Sequence, residues 1–280
     1  MNRLGVVGCG LMGSGIAEVG AKAGCDVLVV DTNDEILGIA QKRMQASLAK
    51  QEEKGKLKEP ADIIFGRITF TTDLKAMGDR EIVIEAIRES INDKAALLTK
   101  LDDIVSDGCI VASNTSSIPI ATIAAASKRP DRIVGAHFFN PVPVMPLVEV
   151  ISALQTNPAI ADATHEFCAN VLGKKVIRAT DQAGFVVNAL LVPYLLDAIR
   201  MLQNGIASKE DIDEGMVGGC SMPIGPIALC DLIGLDTLLL VAESLYAEHL
   251  DPGCAAPALL RRHVEAGMLG RKSGKGFYTY

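Results

Sequence analysis

Two side chains of opposite chemistry stand where an ordinary core would not put them. His137, one of only four histidines, closes the apolar run RIVGAH, and Glu149 sits among Leu147, Val148, Val150 and Ile151. An imidazole titrates near neutrality and can take or give a proton. A carboxylate inside an apolar strand needs a partner, because burying a charge alone is costly. Set against the ring, it would fix the tautomer and stabilise the imidazolium formed on proton uptake. That pair suits the oxidation of an alcohol. A lone core histidine reads more simply as structural, whereas a lone glutamate in an apolar strand is harder to dismiss; together they argue for a base and the group that orients it. Asn188 is a third anomaly. It interrupts FVV and ALLV in a helix that reads as buried nearly all round. A buried amide must find hydrogen bonds, either from a neighbouring helix or from a substrate oxygen.

The stretch GVVGCGLMGSGIA carries a different signal. Gly8, Gly10 and Gly13, with Leu11 and Met12 between them, form G-x-G-x-x-G directly after an apolar strand run and at the mouth of a helical one. Such glycines allow a tight turn, close approach of a pyrophosphate, and close helix–strand packing. The helix N-terminus offers unpaired N–H groups to the phosphates. A second strand run ends at Asp31, where a carboxylate would bind the ribose 2′-hydroxyl of NAD and repel a 2′-phosphate. A helix cap is the other use for Asp31, but Asn33 or Asp34 can fill that place. Glu85, Glu89 and Lys94 in IVIEAIRESINDK, and the polar run ASNTSSIP, also fall at carboxyl ends of strands, where open α/β sheets bind ligands. By themselves these residues read as turns and caps.

Up to about residue 180 the chain alternates strands with helices. Strands are expected at 3–7, 26–30, 67–70, 82–86, 109–113, 132–137, 147–151 and 175–179, and helices near 11–24, 34–55, 91–105 and 157–171. That alternation predicts an α/β fold, a doubly wound and mostly parallel Rossmann-type sheet over 1–182. From 183 to 280 only helical periods recur, near 185–203, 208–218, 226–247 and 256–268, which predicts a small all-α C-terminal domain. The segment 34–58 is dense in Lys, Arg, Gln and Glu with a thin apolar stripe. It reads first as a solvated helix face, and otherwise as an arm reaching over a polyanionic ligand. A formal net charge of −7 argues against a nucleic-acid partner. The run GFVVNALLVPYLLDAI is too short and too polar to span a membrane. The seven cysteines form no C-x-x-C pair and no zinc spacing, so no metal site is expected and they read as small apolar fillers in a reducing compartment. With no targeting signal at the start, the expected location is the cytoplasm.

These residues resemble the 3-hydroxyacyl-CoA dehydrogenase family over essentially the whole chain. The blocks that carry the resemblance are GCGLMGSGIA, EAIRES, SNTSSI, HFFNPVPVMPLVEV, GFVVN, ASKEDID, PIGPIALCDLIGLD and GRKSGKGFY. It implies an NAD-dependent enzyme that interconverts (S)-3-hydroxyacyl-CoA and 3-oxoacyl-CoA, with a four-carbon acyl group as the expected substrate. It implies that His137 is the catalytic base, paired with Glu149, and that Ser116 and Asn188 contact the reacting oxygen. Ser116 would also face the nicotinamide. Asp31, Glu89, Lys94, Asn140 and Lys272 match the family's NAD contacts. Ser47 and Lys54 match contacts to coenzyme A, which would make the basic arm at 34–60 a flap over the CoA. The C-terminal domain would hold a homodimer. Two departures stand out: DQAGF carries Ala183 where the family often has proline, and CSMPIGP replaces a tract that often bears histidine or tyrosine. Two other readings are a related β-hydroxyacid or sugar-acid dehydrogenase, which would need a cationic clamp and no CoA flap, and a non-catalytic NAD-binding protein, which would have no use for His137, Glu149, Ser116 and Asn188 together.

Overall fold

The computed structural model describes residues 1–280, in two compact units, Met1–Gln182 and Ala183–Tyr280. The first is built on one eight-stranded sheet in the order β3-β2-β1-β4-β5-β6-β7-β8. The strands are β1 Arg3–Val7, β2 Asp26–Val30, β3 Ile68–Thr71, β4 Ile82–Glu85, β5 Ile110–Ser113, β6 Ile133–Phe138, β7 Leu147–Ser152 and β8 Lys175–Thr180. β4, β5 and β6 are buried at every residue. Near-continuous burial is what a parallel sheet covered on both faces requires. All five pairings from β3 to β6 are parallel, as is β7 with β8, but β6 and β7 run antiparallel. The chain between them is short and rich in proline. A parallel return would need a crossover of roughly a dozen residues or more, so the strand turns back on itself.

Helices α1 Leu11–Lys22, α2 Asp34–Glu53, α3 Ala61–Phe65, α4 Ile91–Asp102, α5 Ile120–Ala124 and α6 Pro158–Glu166 cover this sheet. Asn33 caps α2, its Oδ1 accepting from the Ile36 N–H at 2.9 Å. α3 and α5 were not expected from the sequence, because five residues are too few to show a helical period. The helix expected over 157–171 is α6 followed by one π turn, Phe167–Val171.

The second unit contains α7 Val187–Gln203, α8 Lys209–Cys220, α9 Pro226–Ile233, α10 Leu235–His249 and α11 Ala258–Glu265. The sequence suggested one helix over 226–247. It is two, broken at Gly234, whose φ of +101° no helix accommodates. The unit's core is Val192, Leu195, Leu196, Ile199, Ile227, Leu235, Leu238 and neighbours. α7 is not buried all round, as its composition suggested: Leu190 is 74% exposed and Met201 41%. Only the stripe through Val192, Leu195, Leu196, Ala198 and Ile199 faces inward. Asp231 is buried and holds the chain end, accepting from the N–H groups of Phe277 and Tyr278 at 3.0 and 2.8 Å.

The seven cysteines are all free, and six are buried as the filler reading expects. Cys220 is exposed and fills nothing. No helix is long and apolar enough to cross a membrane.

Candidate active site

The antiparallel turn decides the position of the two anomalous residues. In the β6–β7 register His137 lies directly opposite Glu149. The Nδ1 atom of His137 is 2.7 Å from Oε2 of Glu149. Both are buried, with side-chain exposures of 8% and 0%. With Nδ1–H donating to the carboxylate, the lone pair is on Nε2, the nitrogen that can take a substrate proton. The ring also leans on Phe139, the centroids 4.6 Å apart. Lys174 holds the turn between the strands, its ammonium donating to the carbonyls of Val142 and Met145 at 2.6 and 2.7 Å.

Strand β1 leads into the glycine loop. Gly8 has φ +91°, and a Cβ there would lie 2.7 Å from the Ala86 carbonyl oxygen. A Cβ on Gly13 would overlap the Gly8 carbonyl oxygen, whereas one on Gly10 would meet nothing within 4 Å. Open space at the middle glycine and packed space at the other two fit a loop that lets a pyrophosphate approach. Leu11 is 58% exposed at the start of α1. Met12 is half-buried beside the core. Asp31 follows β2. Its carboxylate accepts from the Cys9 N–H at 2.7 Å and the Thr32 N–H at 2.6 Å. Burial pushes this carboxyl up, but the Cys9 and Thr32 donors outweigh it and hold it below its ordinary value. Burial, with Asp31 beside it, pushes the Cys9 thiol up to about 12, so it stays a neutral thiol. The Asp31 carboxylate suits NAD: it is a charged acceptor for a ribose hydroxyl, with no basic group hydrogen-bonded to it. Gly13→Ala should cost about 1–3 kcal/mol of stability from overpacking, read as a lower Tm, and should abolish NADH binding by fluorescence titration.

Ser116 sits half-buried in the loop after β5. Glu89 holds that loop: its Oε1 accepts from Thr115 Oγ1 (2.6 Å), Ser116 N–H (3.0 Å), Ser117 N–H (3.3 Å) and Ser117 Oγ (3.0 Å). Lys94, 1% exposed, bridges Glu89 at 3.3 Å to the fully buried Glu85 at 2.7 Å. Glu85 also accepts from Ser113 Oγ at 2.6 Å. Thus Glu89 and Lys94 join Glu85 in an ion cluster at the carboxyl ends of β4 and β5; spacing alone reads them as turns and caps, and the family resemblance makes them NAD contacts. Burial pushes the Glu89 carboxyl up, but Lys94 first, then Thr115, Ser116 and Ser117, hold it below its ordinary value. A folded-state value below the unfolded one of about 4.3 gives stabilisation that is complete above that unfolded value. It is lost as pH falls through the lower folded value. Glu89→Gln should therefore lower Tm at pH 7 and flatten the fall in Tm below about pH 4, which a thermal-melt series across acid pH checks.

The other expected site residues are more dispersed. Asn140 is exposed in the turn after β6. Ser47 lies on α2, its Oγ accepting from Gln51 at 3.1 Å; Gln51 also donates to the buried Glu18 at 2.6 Å. Lys54 is exposed at the end of α2. The polar arm is a packed helix, because Leu37, Ala40, Met44 and Leu48 are all buried in the sheet's core. Its Arg43 reaches Ser14 Oγ at 3.2 Å. In the second unit Asn188 is half-buried near the start of α7, and Lys272 is ion-paired with Asp236 at 2.5 Å. Asn114 belongs to the polar run ASNTSSIP; its Oδ1 accepts from the Phe138 N–H at 2.9 Å and ties the Ser116 loop to the strand of His137. Sequence reasoning missed Lys174, because its two carbonyl partners lie about thirty residues earlier in the chain.

The profile described as "3-hydroxyacyl-CoA dehydrogenase, NAD binding domain" matches residues 3–182, and "3-hydroxyacyl-CoA dehydrogenase, C-terminal domain" matches 184–280. The chain is 51% identical over 282 residues to a 3-hydroxybutyryl-CoA dehydrogenase of Mycobacterium tuberculosis, covering 100% of this chain and 99% of the other. It superposes on the crystal structure of M. tuberculosis FadB2 with a TM-score of 0.98 at 51% identity, covering 100% and 99% of the two chains. It superposes on (S)-3-hydroxybutyryl-CoA dehydrogenase from Ralstonia eutropha with a TM-score of 0.95 at 44% identity, again covering 100% and 99%. With both domain profiles filling the sequence end to end, the chain belongs to the 3-hydroxyacyl-CoA dehydrogenase family.

Proposed function

We propose that this protein is an NAD-dependent dehydrogenase that interconverts (S)-3-hydroxyacyl-CoA and 3-oxoacyl-CoA, with the 3-hydroxybutyryl thioester as its main substrate. The observation that carries this reading is the buried His137–Glu149 pair at 2.7 Å, in a chain whose first unit matches the family's NAD-binding domain. The glycine loop Gly8–Gly13 and Asp31 would hold the dinucleotide. NAD, when bound, supplies the hydride acceptor. His137 Nε2 takes the proton of the 3-hydroxyl, and the buried Glu149 carboxylate stabilises the imidazolium that results. In the opposite direction His137 returns that proton to the 3-oxo group. Ser116 donates to the reacting oxygen, and Glu89 holds the backbone from which it does so. The parts of Asn188, Asn140 and Lys272 rest on the family, as does the contact of Ser47 and Lys54 with coenzyme A. The polar face of α2, with Lys42, Arg43, Lys50 and Lys54, suits the CoA phosphates.

A homodimer through the second unit fits the exposed Leu190, Ile206, Leu232 and Leu240 of that unit. Cytoplasmic residence fits seven unpaired cysteines. The test of the substrate is NADH formation from NAD with (S)-3-hydroxybutyryl-CoA beside free (S)-3-hydroxybutyrate. Turnover of the thioester and not of the free acid is the expected result; turnover of the free acid alone would overturn the assignment.

A further inference from the structure

The buried cluster beneath Ser116 contains a carboxylate that the reaction itself does not use. Glu85 is the last residue of β4 and is fully buried. It receives the Lys94 ammonium (2.7 Å), the Ser113 hydroxyl (2.6 Å) and the Ile87 N–H (2.7 Å). A buried ion cluster adds little stability compared with an apolar filling of the same volume. What this one does is hold a particular piece of backbone. Ser113, paired with Glu85 in the β4–β5 register, is the residue from which the Ser116 loop departs. Lys94 links Glu85 to Glu89, and Glu89 fixes Thr115, Ser116 and Ser117. Asn114, in the same loop, fastens it to the backbone beside His137.

We propose that Glu85 is a positioning residue for the dehydrogenase reaction: by holding Lys94 and Ser113 it lets Glu89 set the Thr115–Ser117 backbone, and with it the Ser116 hydroxyl that meets the substrate oxygen. This rests on the function proposed above. Glu85 touches neither substrate nor cofactor and acts through Ser116. In Glu85→Gln the ammonium keeps one carboxylate partner, Glu89, and is drawn toward it, so the loop loses its fixed geometry.

The experiment is a double-mutant cycle with Ser116→Ala, reading kcat and KM for acetoacetyl-CoA per NADH-binding site. Counting sites removes any loss of folded protein from the comparison. Glu85→Gln should lower kcat about tenfold in the wild-type background, with KM within about twofold, and should lower it less than about twofold in the Ser116→Ala background. An equal loss in both backgrounds, or no loss per binding site, would overturn the proposal. If Glu85→Gln does not fold, Ser113→Ala and Glu85→Asp decide by the same criterion, because each keeps the buried charge while altering how it is held. Wild-type activity separates this test from the functional reading. A wild type inert toward acetoacetyl-CoA defeats that reading and this proposal together, whereas an active wild type with additive variants defeats this proposal alone.

Discussion

His137→Gln should lower kcat for reduction of acetoacetyl-CoA by about 10²–10⁴-fold, the range that a positioned proton donor contributes. The glutamine amide fills a similar space at the end of β6 and can still hydrogen-bond Glu149, so the pair is not left as a buried lone charge. It cannot carry a proton between solvent and substrate. The glycine loop follows β1 and Asp31 follows β2, and the substitution leaves them untouched. NADH affinity should stay within about twofold, because sites that share no partner behave independently. Steady-state kinetics with a parallel NADH titration reads both quantities. A variant with near-wild-type kcat would show that the imidazole packs the strand end and does nothing more.

Glu149→Gln should show the second large effect, a fall in kcat of about 10²-fold. An amide in place of the carboxylate keeps the shape and can accept from Nδ1–H, but it no longer stabilises an imidazolium. Because Glu149 acts only through His137, the double variant His137→Gln/Glu149→Gln should be no slower than His137→Gln alone. Residues that work as one unit lose their effects together. A double variant slowed by the product of the two single effects would instead give Glu149 a role separate from the imidazole. Glu149→Ala would add a cavity and leave the ring's donor unsatisfied, so its lower Tm would confuse the comparison; the isosteric change avoids that.

Much of this was readable because it depended on local chemistry. Eight apolar runs become eight strands to within a residue or two at each end, since a sheet covered on both faces demands near-continuous hydrophobicity. Asn33 caps α2, leaving Asp31 to accept from the glycine loop, and both facts follow from the order of three or four residues. The approach of His137 to Glu149 needed more: the register of two strands joined by a proline-rich turn. The lone glutamate in an apolar strand hinted at a partner without naming it. Glu85 carried the same hint. It stood at a strand end with the look of a turn residue, because the Ser113 contact that shows its use spans chain segments far apart in sequence. The break at Gly234 was missed because apolar periodicity continues on both sides of it, and the periodicity of side chains says nothing about φ. The reading of 34–58 as a solvated helix face with a thin apolar stripe agrees with α2. Four buried side chains on one stripe are enough to anchor a helix whose other faces are polar.

The most direct test of the central claim is consumption of NADH on mixing the wild-type protein with acetoacetyl-CoA, followed by absorbance, with binding of NADH measured on the same sample. The expected result is rapid, catalytic oxidation of NADH with (S)-3-hydroxybutyryl-CoA as the product. A folded protein that binds NADH yet leaves it unoxidised, with acetoacetyl-CoA and with longer 3-oxoacyl-CoA thioesters alike, would contradict the claim that His137 and Glu149 carry this reaction.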